Sequence, residues 1–315
     1  MHYQRATNAV PLPKPVELKL PMSDHEPRLH HVSCLNGVGL HRVAYWEWGD
    51  AANPRVLVCV HGLTRQGRDF DVLARALRDD YRVICPDIAG RGESDWLPQP
   101  AEYVIPRYVA DMVTLLARVN AETVHWLGTS MGGLIGLALA SLAPFPIQRL
   151  VLNDIGPVLG ATALTRIGSY VGVAQRWATV EEAADYMWSN SRGFGPHTKE
   201  QWLALTRPML RPIDIAAGGG FRAHYDPAIA VPFRAATAES AALGEAALWR
   251  AYDAIACPTL LLRGAESDLL SEDTARAMTQ RGPRASLVQF SGVGHAPTLV
   301  ADDQVRAVRE FLLAS

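Results

Sequence analysis

Thr123-Val124-His125-Trp126-Leu127 leads directly into Gly128-Thr129-Ser130-Met131-Gly132-Gly133, and the small-residue run LIGLALA follows. The first five residues read as a buried strand and the last seven as a helix. A Gly-x-Ser-x-Gly therefore sits where a strand must turn at once into a helix. Such a turn forces the serine into a strained backbone conformation and leaves its hydroxyl exposed. Glycines two residues to either side let the chain turn without a Cβ clash. The following helix N-terminus directs unpaired N–H groups toward an anionic intermediate. Ser130 is thus a candidate nucleophile.

A serine hydroxyl needs a base to take its proton. Toward the C-terminus, His295 lies in Gly292-Val293-Gly294-His295-Ala296-Pro297, between the last strand and the last helix. That loop falls on the same sheet edge as Ser130, so His295 is the candidate base. A carboxylate should fix its tautomer and stabilise the imidazolium. Asp268, after the strand TLLLRG, is the first candidate. Asp154 leaves the strand RLVLN at the same edge and is the rival, and Glu266 stands third. Upstream, His61-Gly62-Leu63 follows the strand RVLVCV. In a hydrolase this loop supplies one backbone amide for an oxyanion, and the residue after the nucleophile supplies the other. The expected donors are Leu63 and Met131.

The rest of the chain repeats the strand–loop–helix rhythm. Leu29 to Leu35 and Leu40 to Trp48 read as a hairpin around Asn36-Gly37, a pair that readily takes the positive φ angles of a tight turn. Runs at Arg55–Val60, Tyr81–Pro86, Arg149–Asn153, Thr259–Arg263 and Ser286–Phe290 complete, with Thr123–Leu127, a set of eight strands. Several are continuously apolar, as strands covered on both faces are. Helices alternate with them near Phe70–Leu77, Tyr108–Val119, Met131–Leu142, Glu272–Gln280 and Gln304–Leu313. The pattern predicts a mostly parallel eight-stranded sheet with helices on both faces.

Between Gly156 and Tyr252 the alternation stops. This stretch is mainly helical in pattern, carries Trp177, Trp188, Trp202 and Trp249, and is broken at Gly218-Gly219-Gly220. No long loop belongs inside a compact core, so residues 156–252 read as a cap inserted into a core of 28–155 and 253–315. Residues 1–27, with five prolines and no continuous apolar run, read as an extended arm rather than a signal peptide.

Composition narrows the partners. The chain has 315 residues, 49% hydrophobic and 20% charged, with a net charge of −2. Nothing there favours nucleic acid or an anionic membrane. No apolar run approaches the roughly 20 residues of a membrane span. The four cysteines are scattered, which argues against a disulfide framework or a zinc site and fits a reducing, cytoplasmic compartment.

The order Ser130, Asp268, His295, with His61-Gly62 upstream and Asp87-Ile-Ala-Gly-Arg-Gly-Glu-Ser between, resembles the α/β-hydrolase superfamily over residues 28 to 315. The resemblance implies an α/β-hydrolase fold. It also implies a cap-bearing serine hydrolase that needs no metal or organic cofactor. Members commonly carry the triad acid three residues after the glycine that ends its strand, whereas Asp268 lies four after Gly264. Haloalkane dehalogenases and epoxide hydrolases carry aspartate at the nucleophile position, and Ser130 sets them aside. The expected reaction is cleavage of a small-molecule carboxylic ester of a small or medium apolar acid. Tyr170, Tyr186, Tyr225 and the cap tryptophans would wall its pocket. A carbon–carbon bond hydrolase or a lactonase would use the same triad. A ligand-binding receptor with a vestigial triad is the alternative from another class.

Overall fold

The computed structural model describes residues 26–142, 147–235 and 237–314, so nearly all of the expected arm lies outside the described residues. In chain order the first six strands are β1 (Arg28–Asn36), β2 (Gly39–Trp48), β3 (Arg55–Val60), β4 (Arg82–Pro86), β5 (Thr123–Thr129) and β6 (Ile147–Asn153). Three short strands follow, β7 (Arg176–Trp177), β8 (Leu210–Pro212) and β9 (Phe221–Ala223), and then β10 (Thr259–Gly264) and β11 (Ser286–Phe290). The main sheet has the order β1-β2-β4-β3-β5-β6-β10-β11. β2 alone runs opposite to the other seven strands. The eight strands of the sequence reading are all present. The hairpin turn differs in detail. Neither Asn36 nor Gly37 takes a positive φ; instead the Asn36 carboxamide accepts the Val38 amide at 2.9 Å and closes the turn from its side chain.

Strand geometry divides the core. Successive side chains point to opposite faces, so Val58, Val60 and Trp126 join one cluster while Leu57, Cys59 and Leu127 join the other. Helices α1 (Asp71–Leu77) and α10 (Asp302–Leu313) cover the second face through Leu73, Leu77, Val308 and Leu312. On the first face lie α2 (Ile105–Val119) and α3 (Met131–Ala140), with Met112, Leu115, Ile135 and Leu139 turned inward. Each fully buried aliphatic side chain contributes about 1.5–3 kcal/mol. Both faces are therefore closed to water, as the apolar strands require. No described helix is long and apolar enough to cross a membrane.

Between β6 and β10 stand α4 (Ala161–Tyr170), α5 (Val180–Asn190), α6 (Lys199–Thr206), α7 (Ala230–Arg234) and α8 (Ala238–Asp253). Strands β7, β9 and β8 form a small antiparallel sheet among them, so this segment is not helical throughout. Gly218, Gly219 and Gly220 all take positive φ in the turn before β9, a conformation that suits glycine. Helix α8 packs on α3, and its Tyr252 hydroxyl donates to the Met278 carbonyl of α9 (Glu272–Met278) at 2.6 Å. The last helix of the expected 156–252 insertion thus belongs to the layer that covers the sheet, and Trp249 goes with it.

A buried histidine links β5 to the C-terminus. The Tyr81 hydroxyl donates to the Leu312 carbonyl at 2.7 Å and meets His125 Nδ1 at 2.8 Å. Burial, with Arg149 and Arg55 nearby, pushes the His125 pKa down to about 4. An unfolded histidine binds a proton near pH 6.5, so stability held above that pH is lost as pH falls toward 4. Replacing His125→Gln, which keeps a donor for Tyr81, is expected to flatten the fall in melting temperature between pH 7 and pH 4. An unchanged slope in a thermal unfolding series would refute this assignment.

Candidate active site

Ser130 sits between β5 and α3 with φ 52° and ψ −115°, a positive φ rare for a residue with a side chain. Such a conformation costs on the order of 1–3 kcal/mol and persists only where its surroundings fix it. The surroundings are backbone. A Cβ on Gly128 would collide with the Gly132 carbonyl, and one on Gly132 with the Val60 carbonyl. Ser130 itself donates its amide to the Asn153 carbonyl at 3.0 Å. The glycines of the motif are therefore required by the close approach of α3 to β3 and β5.

His295 follows β11 and turns its ring toward Ser130, with Nε2 3.0 Å from the hydroxyl oxygen. Its Nδ1 lies 2.7 Å from Oδ2 of Asp154. A carboxylate only accepts, so Nδ1 carries the proton and Nε2 is left to accept from Ser130. Asp154 is fully buried, directly after β6, with φ 54°. Its Oδ1 accepts the Gly264 amide at 2.9 Å, and its Oδ2 also accepts the Ser267 hydroxyl at 2.5 Å. Asn153 bonds the Pro297 carbonyl at 2.8 Å and ties the same strand end to the histidine loop.

This geometry corrects the assignment of the acid. Asp268 does not reach His295; it forms a bidentate pair with Arg166 of α4 at 2.8 and 2.9 Å. The turn after β10 explains why. Ser267 donates its amide to Gly264 at 3.0 Å and points its side chain at Asp154. The next residue faces α4, where Gly160 packs on its carbonyl. Burial works against the charge on Asp268, but the hydrogen bond and charge of Arg166 prevail and hold its carboxyl below the ordinary range. Glu266 is engaged through its backbone, its amide donating to Val293 at 2.9 Å.

The loop after β3 brings Leu63 to the serine's other side, and an ideal Cβ on Gly62 would lie 3.7 Å from that of Ser130. Among the described residues the Leu63 and Met131 amides donate to no backbone acceptor. His61 braces the loop. Its Nδ1 meets the Gly62 carbonyl at 2.7 Å, and its Nε2 accepts the Ile88 amide at 3.0 Å. Burial pushes its pKa down to about 3, so the ring is neutral and donates from Nδ1. Arg91, fully buried, donates to the Leu63 carbonyl at 2.8 Å. The sequence reading gave Arg91 no role; it stands between two glycines in the loop Asp87-Ile-Ala-Gly-Arg-Gly-Glu-Ser.

Two cavities meet at Ser130. One, of about 130 Å³, is lined by Arg65, Arg166, Tyr170, Trp177, Tyr186, Tyr225 and His295 among others. The other, of about 280 Å³, is lined almost entirely by apolar residues, including Met131, Leu134, Ile155, Leu164, Ile229 and Phe233. Trp188 and Trp202 line neither; they pack edge to face, 5.0 Å apart, in a cluster with Phe194 and His197.

A sheet with this strand order, whose serine, histidine and buried aspartate meet at the strands' carboxyl ends, defines a class. A family model described as alpha/beta hydrolase fold matches residues 55–186. The chain belongs to the α/β-hydrolase superfamily and is a hydrolase. Within that family it is similar to the 3-hydroxybutyrate-oligomer hydrolase of Cupriavidus necator, 54% identical over 285 residues, 90% of this chain and 97% of that protein. A solved α/β hydrolase from Novosphingobium aromaticivorans is 35% identical, with a TM-score of 0.79 over 91% of this chain and 98% of its own.

The two aspartates are separable by mutation. Asp154→Asn is expected to lower kcat by a factor on the order of 10⁴, because an amide favours the wrong imidazole tautomer. Asp268→Asn should cost far less. Steady-state rates on one ester decide it, and the reverse ranking would return the role to Asp268.

Proposed function

We propose that the chain hydrolyses carboxylic esters through an acyl-enzyme on Ser130, and that its substrates are short oligoesters of 3-hydroxy acids. The observation that carries the reaction type is the continuous line from Asp154 through His295 to the Ser130 hydroxyl. His295 Nε2 takes the serine proton as Oγ attacks the ester carbonyl, and buried Asp154 stabilises the imidazolium. The Leu63 and Met131 amides then hold the oxyanion. Preorganised donors of this kind typically contribute about 2.7–4 kcal/mol each. Collapse breaks the carbon–oxygen bond, and the departing alkoxide receives the proton from His295. Water, activated by the same imidazole, releases the acid in the second half.

The substrate class rests on the 54% identity to a 3-hydroxybutyrate-oligomer hydrolase. It differs from a simple ester of an apolar acid, because both halves of the substrate are then short hydroxyacyl units. The segment over the strands' carboxyl ends supports this reading, since α4, α5 and β9 contribute Tyr170, Tyr186 and Ala223 to the cavity wall. It acts as the cap that sets substrate choice.

A fluorophosphonate is expected to add once, at Ser130. Ser130→Ala should abolish labelling and lower ester turnover by a factor on the order of 10⁶. Oligomers of 3-hydroxybutyrate should be cleaved over many turnovers, and a meta-cleavage diketone should not. Labelling at another residue with Ser130→Ala still active would defeat the proposal. Ligand-induced stabilisation without product would favour a receptor instead, and turnover of the diketone alone a carbon–carbon hydrolase.

A further inference from the structure

We propose that Arg65 and Arg166 form a carboxylate subsite on the leaving-group side of Ser130, so that the chain cuts an oligoester at the bond nearest its free carboxyl end. The proposal rests on the ester-hydrolase reading above and adds a direction to it.

The two cavities are not equivalent about the serine. Both include Ser130, but His295 lines only the smaller and Met131 only the larger. His295 must return its proton to the departing oxygen, so the alcohol half of the ester lies in the cavity that His295 lines. The acyl half then extends past Met131. Their charges differ in the same sense. Two arginines and no acidic residue line the smaller cavity, whereas no charged residue lines the larger.

The arginines are held from behind. Arg65 gives Nε and Nη2 to Asp69 at 2.7 and 2.6 Å, and Arg166 gives the same two atoms to Asp268 at 2.8 and 2.9 Å. In both residues Nη1 lies outside the ion pair; Arg65 Nη2 also donates to the Leu205 carbonyl at 3.1 Å, and Arg166 also hydrogen-bonds Tyr170. A guanidinium pinned in this way can turn its remaining donor to a ligand without the entropy cost of ordering a free side chain. A linear hydroxy-acid oligomer has the matching asymmetry. Whichever bond is cut, the acyl half is neutral and the alcohol half ends in a carboxylate. With that carboxylate against arginines in the cavity that His295 lines, the scissile bond is the first one in. The serine oxygen–carbon bond forms, the carbon–oxygen bond to the terminal unit breaks, and that unit departs as a free hydroxy acid.

The test compares kcat/KM of the wild-type enzyme for the 3-hydroxybutyrate trimer as free acid and as methyl ester, with p-nitrophenyl butyrate as a neutral ester. A charge-assisted hydrogen bond of about 1.5–3 kcal/mol predicts a preference for the free acid on the order of 10- to 100-fold. In the double variant Arg166→Gln/Asp268→Asn, which removes the ion pair as a unit, that ratio should fall toward one. A trimer carrying ¹³C in its carboxyl-end unit should release labelled monomer first and leave two unlabelled units on the enzyme. Turnover of p-nitrophenyl butyrate with no preference for the acid, or release of unlabelled monomer first, overturns the subsite alone. No turnover of any ester overturns the hydrolase reading and the subsite with it.

Discussion

One buried carboxylate holds the working edge of this molecule together. Asp154 is closed off from water and accepts from His295, from the Gly264 amide and from the Ser267 hydroxyl. Burying such a charge costs several kcal/mol unless hydrogen bonds compensate it. Here the three compensating donors come from two different stretches of chain. The carboxylate therefore fixes the end of β10 and the loop after β11 relative to β6. Because Ser130 hangs its amide on the adjacent Asn153 carbonyl, the turn that carries it joins the same assembly.

Rigidity is distributed accordingly. The glycine contacts that shape the elbow are backbone against backbone, and the loop carrying Leu63 is braced by a neutral His61 and a buried Arg91. Ser130, Asp154 and His295 all stand just past the carboxyl ends of strands. The cavity walls draw on two parts of the chain: Arg65, Tyr103, Tyr108 and Leu134 precede β6, whereas Arg166, Tyr170, Tyr186 and Phe233 come from the stretch between β6 and α8.

How much of this the sequence discloses differs from residue to residue. All eight main strands were legible, because continuous apolar runs such as RVLVCV have no other stable use in a soluble domain. Ser130 and His295 were placed together because each stands in a loop the topology sends to one edge. The acid was harder to read. Asp154 and Asp268 both leave strands at that edge, and Asp268 was put first although its spacing from Gly264 departs from the family's by one residue. The residue three after Gly264 is Ser267, which donates to Asp154, and only three-dimensional packing shows that Asp268 faces α4. Where α8 packs was not legible either: its sequence does not say whether it covers the sheet or a pocket, and the structure sets it on α3. The arginine pairs behind the smaller cavity join residues 4 and 102 apart in sequence, and only the first spacing is visible to a helical reading.

The central claim is that Asp154 orients His295, and the proton between them can be observed directly. Proton NMR of the intact enzyme should show a strongly downfield resonance from the Nδ1–H of His295. That resonance should vanish in Asp154→Asn and remain in Asp268→Asn. Its survival in Asp154→Asn together with its loss in Asp268→Asn would contradict the account.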